Sequence, residues 1–213
     1  MLTKSGKDVT EGFSYSVQQY CESIQGQSSN QKMKTLAAAM EQYSTYVQKY
    51  LKYNGPTGEC SSDFSDITLD TLSAFAGKSS GAAEGIRLSS MSFSFDEASA
   101  VNLKYTVSEG MEVDVDFLIQ VDGEDVYPWS DVYYYTVDSN GKCVVKLTGI
   151  NAVDLDQMHL VTITDPEGNS LNVEVCGLSY AYSIMKSATS SQSAKDAVCA
   201  LFKYYLAAKD YFR

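Results

Sequence analysis

The sequence predicts an α+β chain: an antiparallel β-sandwich of immunoglobulin-like or carbohydrate-module-like type, flanked by N- and C-terminal helix pairs that pack together as a four-helix cluster. Three observations predict it. Near both ends, apolar residues recur at steps of three and four, the period of a helix with one buried stripe. Between the ends the period falls to two, over short runs separated by Gly, Asn, Asp and Pro. And residues 17–51 lie without a gap over 178–212 when moved 161 positions, the distance from Leu51 to Phe212, a modest signal with few identities, carried mainly by matched apolar spacing. The divisions that follow are 1–55 for the first helix pair, 56–85 for a linker with a short helix, 86–177 for the sandwich and 178–213 for the second pair.

In the first pair Phe13, Val17, Tyr20 and Ile24 form one stripe, and Met33, Leu36, Met40, Tyr43, Val47 and Tyr50 another. Asn54-Gly55-Pro56-Thr57-Gly58 stops the second helix. Leu69, Leu72 and Phe75 predict a short helix, and Gly77-Lys78-Ser79-Ser80-Gly81 a flexible loop. That loop is no phosphate-binding loop, because Leu72 stands where its first glycine belongs.

From Ile86 the alternation begins. Met91, Phe93 and Phe95 alternate with serines, and Leu103, Tyr105 and Val107 with Lys104 and Thr106. The sharpest run is 113–121, predicted as a strand with Val113, Val115, Phe117, Ile119 and Val121 inward and Asp114, Asp116 and Gln120 outward. Asp122-Gly123 is a turn, 132–137 a strand, and Asn140-Gly141 a tight hairpin into 143–147. Strands 160–164 and 171–175 flank the turn at Asp165-Pro166-Glu167-Gly168-Asn169. About seven short strands suit a sandwich. In the last stretch Val198, Leu201, Phe202, Tyr205, Ala208 and Phe212 make the stripe, with Ser193-Ala194-Lys195-Asp196 as its predicted capping box. A helix pair cannot bury both its stripes alone, so the two copies are expected to pack on each other.

The formal net charge of −11 argues against nucleic acid and anionic membrane surfaces as partners. No apolar run reaches the ~20 residues of a membrane span, and Met1-Leu2-Thr3-Lys4-Ser5 carries no signal-peptide core. The chain is therefore expected to be a monomer without membrane insertion, either cytosolic or an excised piece of an exported protein. Of the five cysteines, Cys21, Cys60, Cys143, Cys176 and Cys199, none sits in a C-x-x-C pair, which disfavours zinc. Cys21 and Cys199 fall on helices as small buried hydrophobes. Cys143 and Cys176 fall in strand patterns and stand either as free thiols or as a disulfide.

Leu178-Ser179-Tyr180-Ala181-Tyr182-Ser183, followed by 200–212 with its Ala207-Ala208-Lys209-Asp210-Tyr211-Phe212, resembles the tail of a module that recurs in large surface and secreted proteins of gut Firmicutes. The segment from Met40 to Asn54 is similar to that module's companion helix. Tyr133-Tyr134-Tyr135 and Gly149-Ile150-Asn151-Ala152-Val153-Asp154-Leu155-Asp156 resemble its strand and turn. The resemblance covers nearly the whole chain and implies an exported, non-catalytic surface module with no catalytic residues attached. Five cysteines, and Leu51 where that module usually has Phe, are departures from its pattern.

Three sets of residues offer chemistry. His159, the one histidine, limits nucleophilic catalysis to a single base. The match of Gly77-Lys78-Ser79-Ser80-Gly81 to Gly-x-Ser-x-Gly lacks the strand–turn–helix context that such a nucleophile needs. Glu112, Asp114 and Asp116 on one predicted strand face admit three readings. They form a solvated face, a calcium site helped by Asp122, Glu124 or Asp125, or a glycosidase pair of Glu112 and Asp116. No other cofactor is implied. The third set is Asp125, Tyr127, Trp129 and Asp131 in a loop between strands, where flat rings beside carboxylates suit a sugar face and its hydroxyls. The opposing reading has Trp129 folded inward as a plug. The expected function is an extracellular, non-catalytic accessory module that binds polysaccharide through this loop. A spacer contacting neighbouring domains or proteins is the alternative, and a glycoside hydrolase a further one.

Overall fold

The structure, a computed structural model, describes residues 3–4, 7–8, 17–53, 63–94, 99–138 and 140–213. Phe13, the 54–58 helix stop, Cys60 and Phe95 lie outside these. The described helices are α1 (Val17–Gln27), α2 (Gln31–Tyr50), α3 (Leu69–Leu72, continued by a 3-10 turn over Ser73–Phe75), α4 (Val113–Asp116), α5 (Gly177–Lys186) and α6 (Gln192–Phe212). The strands are β1 (Thr3–Lys4), β2 (Lys7–Asp8), β3 (Lys78–Gly81), β4 (Ile86–Ser94), β5 (Ala100–Val107), β6 (Leu118–Val121), β7 (Glu124–Asp125), β8 (Tyr133–Val137), β9 (Lys142–Leu147), β10 (His159–Thr164) and β11 (Ser170–Val175). The fold is α+β. Apart from the β1–β2 pair, its strands form two antiparallel sheets, in the orders β3-β11-β10-β6-β7 and β4-β5-β9-β8.

The alternating residues do what their period requires. Val101, Leu103 and Tyr105 on β5, Val145 and Leu147 on β9, Ile119 and Val121 on β6, and Val161 and Ile163 on β10 belong to one buried cluster, which also takes in Leu178 of α5 and Leu201 of α6. Both sheets and the C-terminal helices thus share a core.

Two predicted elements come out differently. The 77–81 loop is largely a strand: Ser79 pairs with Val173 and Gly81 with Leu171. Gly81 sits at φ +71°, where a Cβ would lie 2.2 Å from the Ser170 carbonyl oxygen, so only glycine fits this approach. The 113–121 run is strand only from Leu118. Its first half is one helical turn, α4, closed by the Asp116 carboxylate accepting the Glu112 N–H at 2.7 Å. A side chain that bonds its own backbone competes with the ladder. The pattern reads equally at i and i+4: Val113 and Phe117 are buried while Val115 is 72% exposed.

At the ends of the chain the repeat is visible in space. Asn30 caps α2 by accepting the Met33 N–H, and Ser191 caps α6 by accepting the Ala194 N–H. Ser191 is Asn30 moved by the same 161 positions, so the cap is not at Ser193. Tyr43 and Tyr204, also equivalent under that shift, stack on each other at 5.4 Å and 15°. Lys32 near the start of α2 meets Asp210 near the end of α6 at 3.0 Å, so the two helices run antiparallel. α1 packs on α2 and α5 on α6. Tyr20 and Phe212, expected in the buried stripes, are exposed.

Gly177 opens α5 where a Cβ would lie 2.4 Å from a Leu155 methyl. Ser179 Oγ accepts the Cys176 N–H and donates to the Phe75 carbonyl, tying α5 to the turn after α3. Lys209 on α6 bonds Asp156 and the Tyr205 hydroxyl. Burial pushes the Asp156 carboxyl up, but hydrogen bonds to it from Lys209 and from the Tyr205 hydroxyl, with the Lys209 charge, outweigh burial and hold the group below the usual aspartate range. Cys21, Cys143, Cys176 and Cys199 are buried free thiols. Cys143 lies inside β9 and Cys176 at the start of α5, and no disulfide joins them. Burial pushes the Cys143 thiol up to about 12, far from a reactive thiolate. No described helix is long and apolar enough to cross a membrane.

Candidate functional site

The loop from Val126 to Val132 leads from β7, one edge of the five-stranded sheet, to β8, one edge of the four-stranded sheet. Its root is fixed by Val126, buried, whose N–H donates to the Ile119 carbonyl. Its tip is a tight turn. The Ser130 N–H donates to the Tyr127 carbonyl at 3.3 Å, and the Ser130 hydroxyl accepts the Tyr127 N–H at 3.1 Å. Pro128 occupies the turn position that its fixed φ favours.

Across this turn Tyr127 and Trp129 stack nearly parallel, with centroids 5.4 Å apart and planes at 10°. Trp129 is 78% exposed and Tyr127 45%. The indole therefore does not plug the molecule. It stands out from the loop with one face on Tyr127 and the other open. Asp125 holds the pair from beneath. One carboxylate oxygen accepts from Gln120 Nε2 at 2.9 Å, the other from the Tyr127 hydroxyl at 3.4 Å. Asp131 is exposed in the bend before β8, and among the described residues no hydrogen bond or ion pair ties it to the cluster.

Asp125 also opens a row that sequence reading missed. On the outer face of the five-stranded sheet, strand register sets Asp125 beside Gln120, Gln120 beside Thr162, Thr162 beside Asn172 and Asn172 beside Ser80. Thr162 Oγ1 donates to Asn172 Oδ1 at 2.9 Å. This ladder of amides, hydroxyls and one carboxylate spans five strands, roughly 19 Å at ~4.8 Å per strand. The outward parity of Gln120, Thr162 and Asn172 is written in the strand alternation. Their common row depends on register, which the sequence pattern leaves open.

The other candidates fall elsewhere. Glu112 and Asp114 are exposed on the α4 turn, and the Asp116 carboxylate is engaged by the Glu112 amide. They do not share a strand face, and among the described residues no group of three or more His, Cys, Asp or Glu is arranged to hold a metal ion. His159 is buried at 5% exposure. Its Nδ1 lies 2.7 Å from Asp122 Oδ2, and its ring meets Tyr133 edge-on at 5.5 Å. Asp122 Oδ1 also accepts the Leu160 N–H, so this cluster closes the β6–β7 turn onto β10. Burial, then the Asp122 charge, pushes the Tyr133 hydroxyl up. Gly77-Lys78-Ser79-Ser80-Gly81 runs into an edge strand, the opposite of a nucleophile's strand-to-helix turn.

Comparison with known protein families, curated proteins and solved structures gives no match to this chain.

Proposed function

We propose that this chain is a non-catalytic accessory module of an extracellular or cell-surface protein, and that it binds polysaccharide through the Tyr127–Trp129 platform. In this reading the two sheets form a sandwich of carbohydrate-module-like type. The helix pairs brace it as a four-helix cluster, in keeping with the resemblance to surface-protein modules of gut Firmicutes. The observation that carries the reading is the exposed, stacked, hydrogen-bonded ring pair. An indole kept out of the core costs hydrophobic stabilisation, and a locked turn that leaves one of its faces open to solvent preorganises a flat apolar surface for the C–H side of a sugar. The polar row that begins at Asp125 supports it, because sugar hydroxyls need both donors and acceptors. Asp125 itself serves as the brace of Tyr127, and Asp131 is the free carboxylate nearest along the chain.

Native-gel retardation of the purified chain in a panel of soluble polysaccharides, with Trp129→Ala run alongside, tests the proposal. Retardation in at least one gel, abolished in Trp129→Ala, is the expected result. Retardation that survives in a folded Trp129→Ala overturns the site. No retardation in any gel transfers the weight to a spacer that contacts neighbouring domains.

A further inference from the structure

The two sheets differ sharply on their outer faces. On the four-stranded sheet the outward positions carry Arg87 on β4, Lys104 on β5 and Lys142 and Lys146 on β9. Register sets Arg87 beside Thr106 and Thr106 beside Lys142, and sets Asn102 beside Lys146. Lys104 lies opposite Val144, midway between the two β9 lysines. Along the strand axis a lysine therefore recurs every two residues, about 7 Å. Four cations share one sheet face in a chain of net charge −11. Among the described residues none of the four is in an ion pair; Lys146 instead covers the Tyr134 ring at 5.3 Å. Among the described residues Asp138, at the sheet edge, is an acid within reach of the Lys142 and Lys104 charges. Its carboxylate is taken by the backbone N–H groups of Asn140 and Lys142, which hold it, helped by the Lys142 and Lys104 charges, below the usual range. Four like charges with one edge carboxylate among the described residues leave the face net positive, which favours an anion that adds counter-charge.

We propose that this face binds a polyuronate, a polysaccharide with one carboxylate per sugar ring, laid from the Tyr127–Trp129 loop along the outer side of β8, β9 and β5. The inference rests on reading that loop as a glycan platform, since the loop runs directly into β8, where Tyr134 lies beside Lys146. Charge density disfavours a nucleic acid duplex: cations about 7 Å apart along the strands are far sparser than the one charge per ~1.7 Å of duplex DNA. The ammonium over Tyr134 covers the face's aromatic ring, so no open platform for nucleobases is offered there. Asn102, Thr106 and the β4 serines supply neutral partners for hydroxyls.

Affinity electrophoresis in polygalacturonate tests this, with methyl-esterified polygalacturonate, a neutral glucan, chondroitin sulfate and duplex DNA as comparison arms. Wild type, Trp129→Ala and the triple variant Lys104→Gln, Lys142→Gln, Lys146→Gln are run together, with circular dichroism to confirm folding. Expected is retardation by polygalacturonate that weakens on esterification and with added salt, and a loss of about tenfold in affinity for the triple variant, the sum of three modest exposed ion pairs. Three results overturn the inference: equal binding to the esterified polymer, a triple variant that binds like wild type, or equal binding to DNA or chondroitin sulfate. If the neutral glucan retards the chain through Trp129 while polygalacturonate does not, the basic face is excluded and the platform stands. If the triple variant loses polygalacturonate while Trp129→Ala keeps it, the face stands and the platform falls.

Discussion

Two stacked aromatic pairs set the buried and exposed parts of this molecule against each other. Phe93 of β4 and Tyr180 of α5 lie at 6.3 Å and 20°, both under a tenth exposed. Tyr127 and Trp129 lie at 5.4 Å and 10°, about half and three-quarters exposed. The ring geometry is nearly the same, and the surroundings are opposite. Phe93–Tyr180 joins a sheet to a helix, and the Tyr180 hydroxyl finds Tyr50 at the end of α2. Tyr127–Trp129 joins two residues of one turn, and its tyrosine hydroxyl is held by a surface carboxylate. Stacking alone therefore says little about role. What distinguishes the pairs is whether the rings' remaining area is covered by the chain itself or left for something else.

The comparison breaks most visibly at Phe93. Phe93→Ala removes a ring packed against Tyr180 and Gly177, and is expected to destabilise by about 3–5 kcal/mol. A urea melt should show an earlier midpoint with an unchanged slope. A loss below about 1 kcal/mol would mean that α5 is not clamped to β4 through this pair. The next effect has the opposite sign. Tyr105 is fully buried on β5, and among the described residues its hydroxyl has no hydrogen-bond partner. Burial pushes that hydroxyl far above its ordinary range. Tyr105→Phe deletes an unsatisfied polar atom and keeps the ring, so it should stabilise by about 1 kcal/mol in the same melt. Destabilisation there would show that the hydroxyl has a partner after all.

How much of this was legible beforehand follows from the kind of signal each residue carries. The α6 stripe apart from Phe212 and the hairpins at Asn140-Gly141 and Asp165–Asn169 are local patterns, and a one-dimensional reading suffices for them, whereas on α2 Val47 alone of the six expected stripe residues is buried and the buried face runs through Ala37, Ala39, Thr45 and Tyr46. Residues 113–121 misled because Val113 and Phe117 satisfy a helical turn as well as a strand, and the tie from Asp116 to the Glu112 amide decides between them. Lys78–Gly81 looked like a loop because an edge strand with all four residues exposed has no apolar alternation to display. The Trp129 loop stood out as the one tryptophan beside a proline, but whether the ring turned in or out did not. That depends on the Ser130–Tyr127 closure and on Asp125 reaching both Gln120 and Tyr127. The polar row and the basic face both depend on strand register, which no single stretch of sequence encodes.

The smallest expected effect is the most informative. Trp129→Ala should change stability by no more than about 0.5 kcal/mol, because the indole rests on Tyr127 and solvent and anchors nothing in the core. The turn beneath it is closed by Ser130 and rooted at Val126, and neither contact uses the ring. A melt indistinguishable from wild type would leave the exposed ring without a structural role, as a binding surface requires. A loss near that of Phe93→Ala would make the two aromatic pairs equivalent after all, and the indole would then be read as part of the scaffold that seats β8 beside β9.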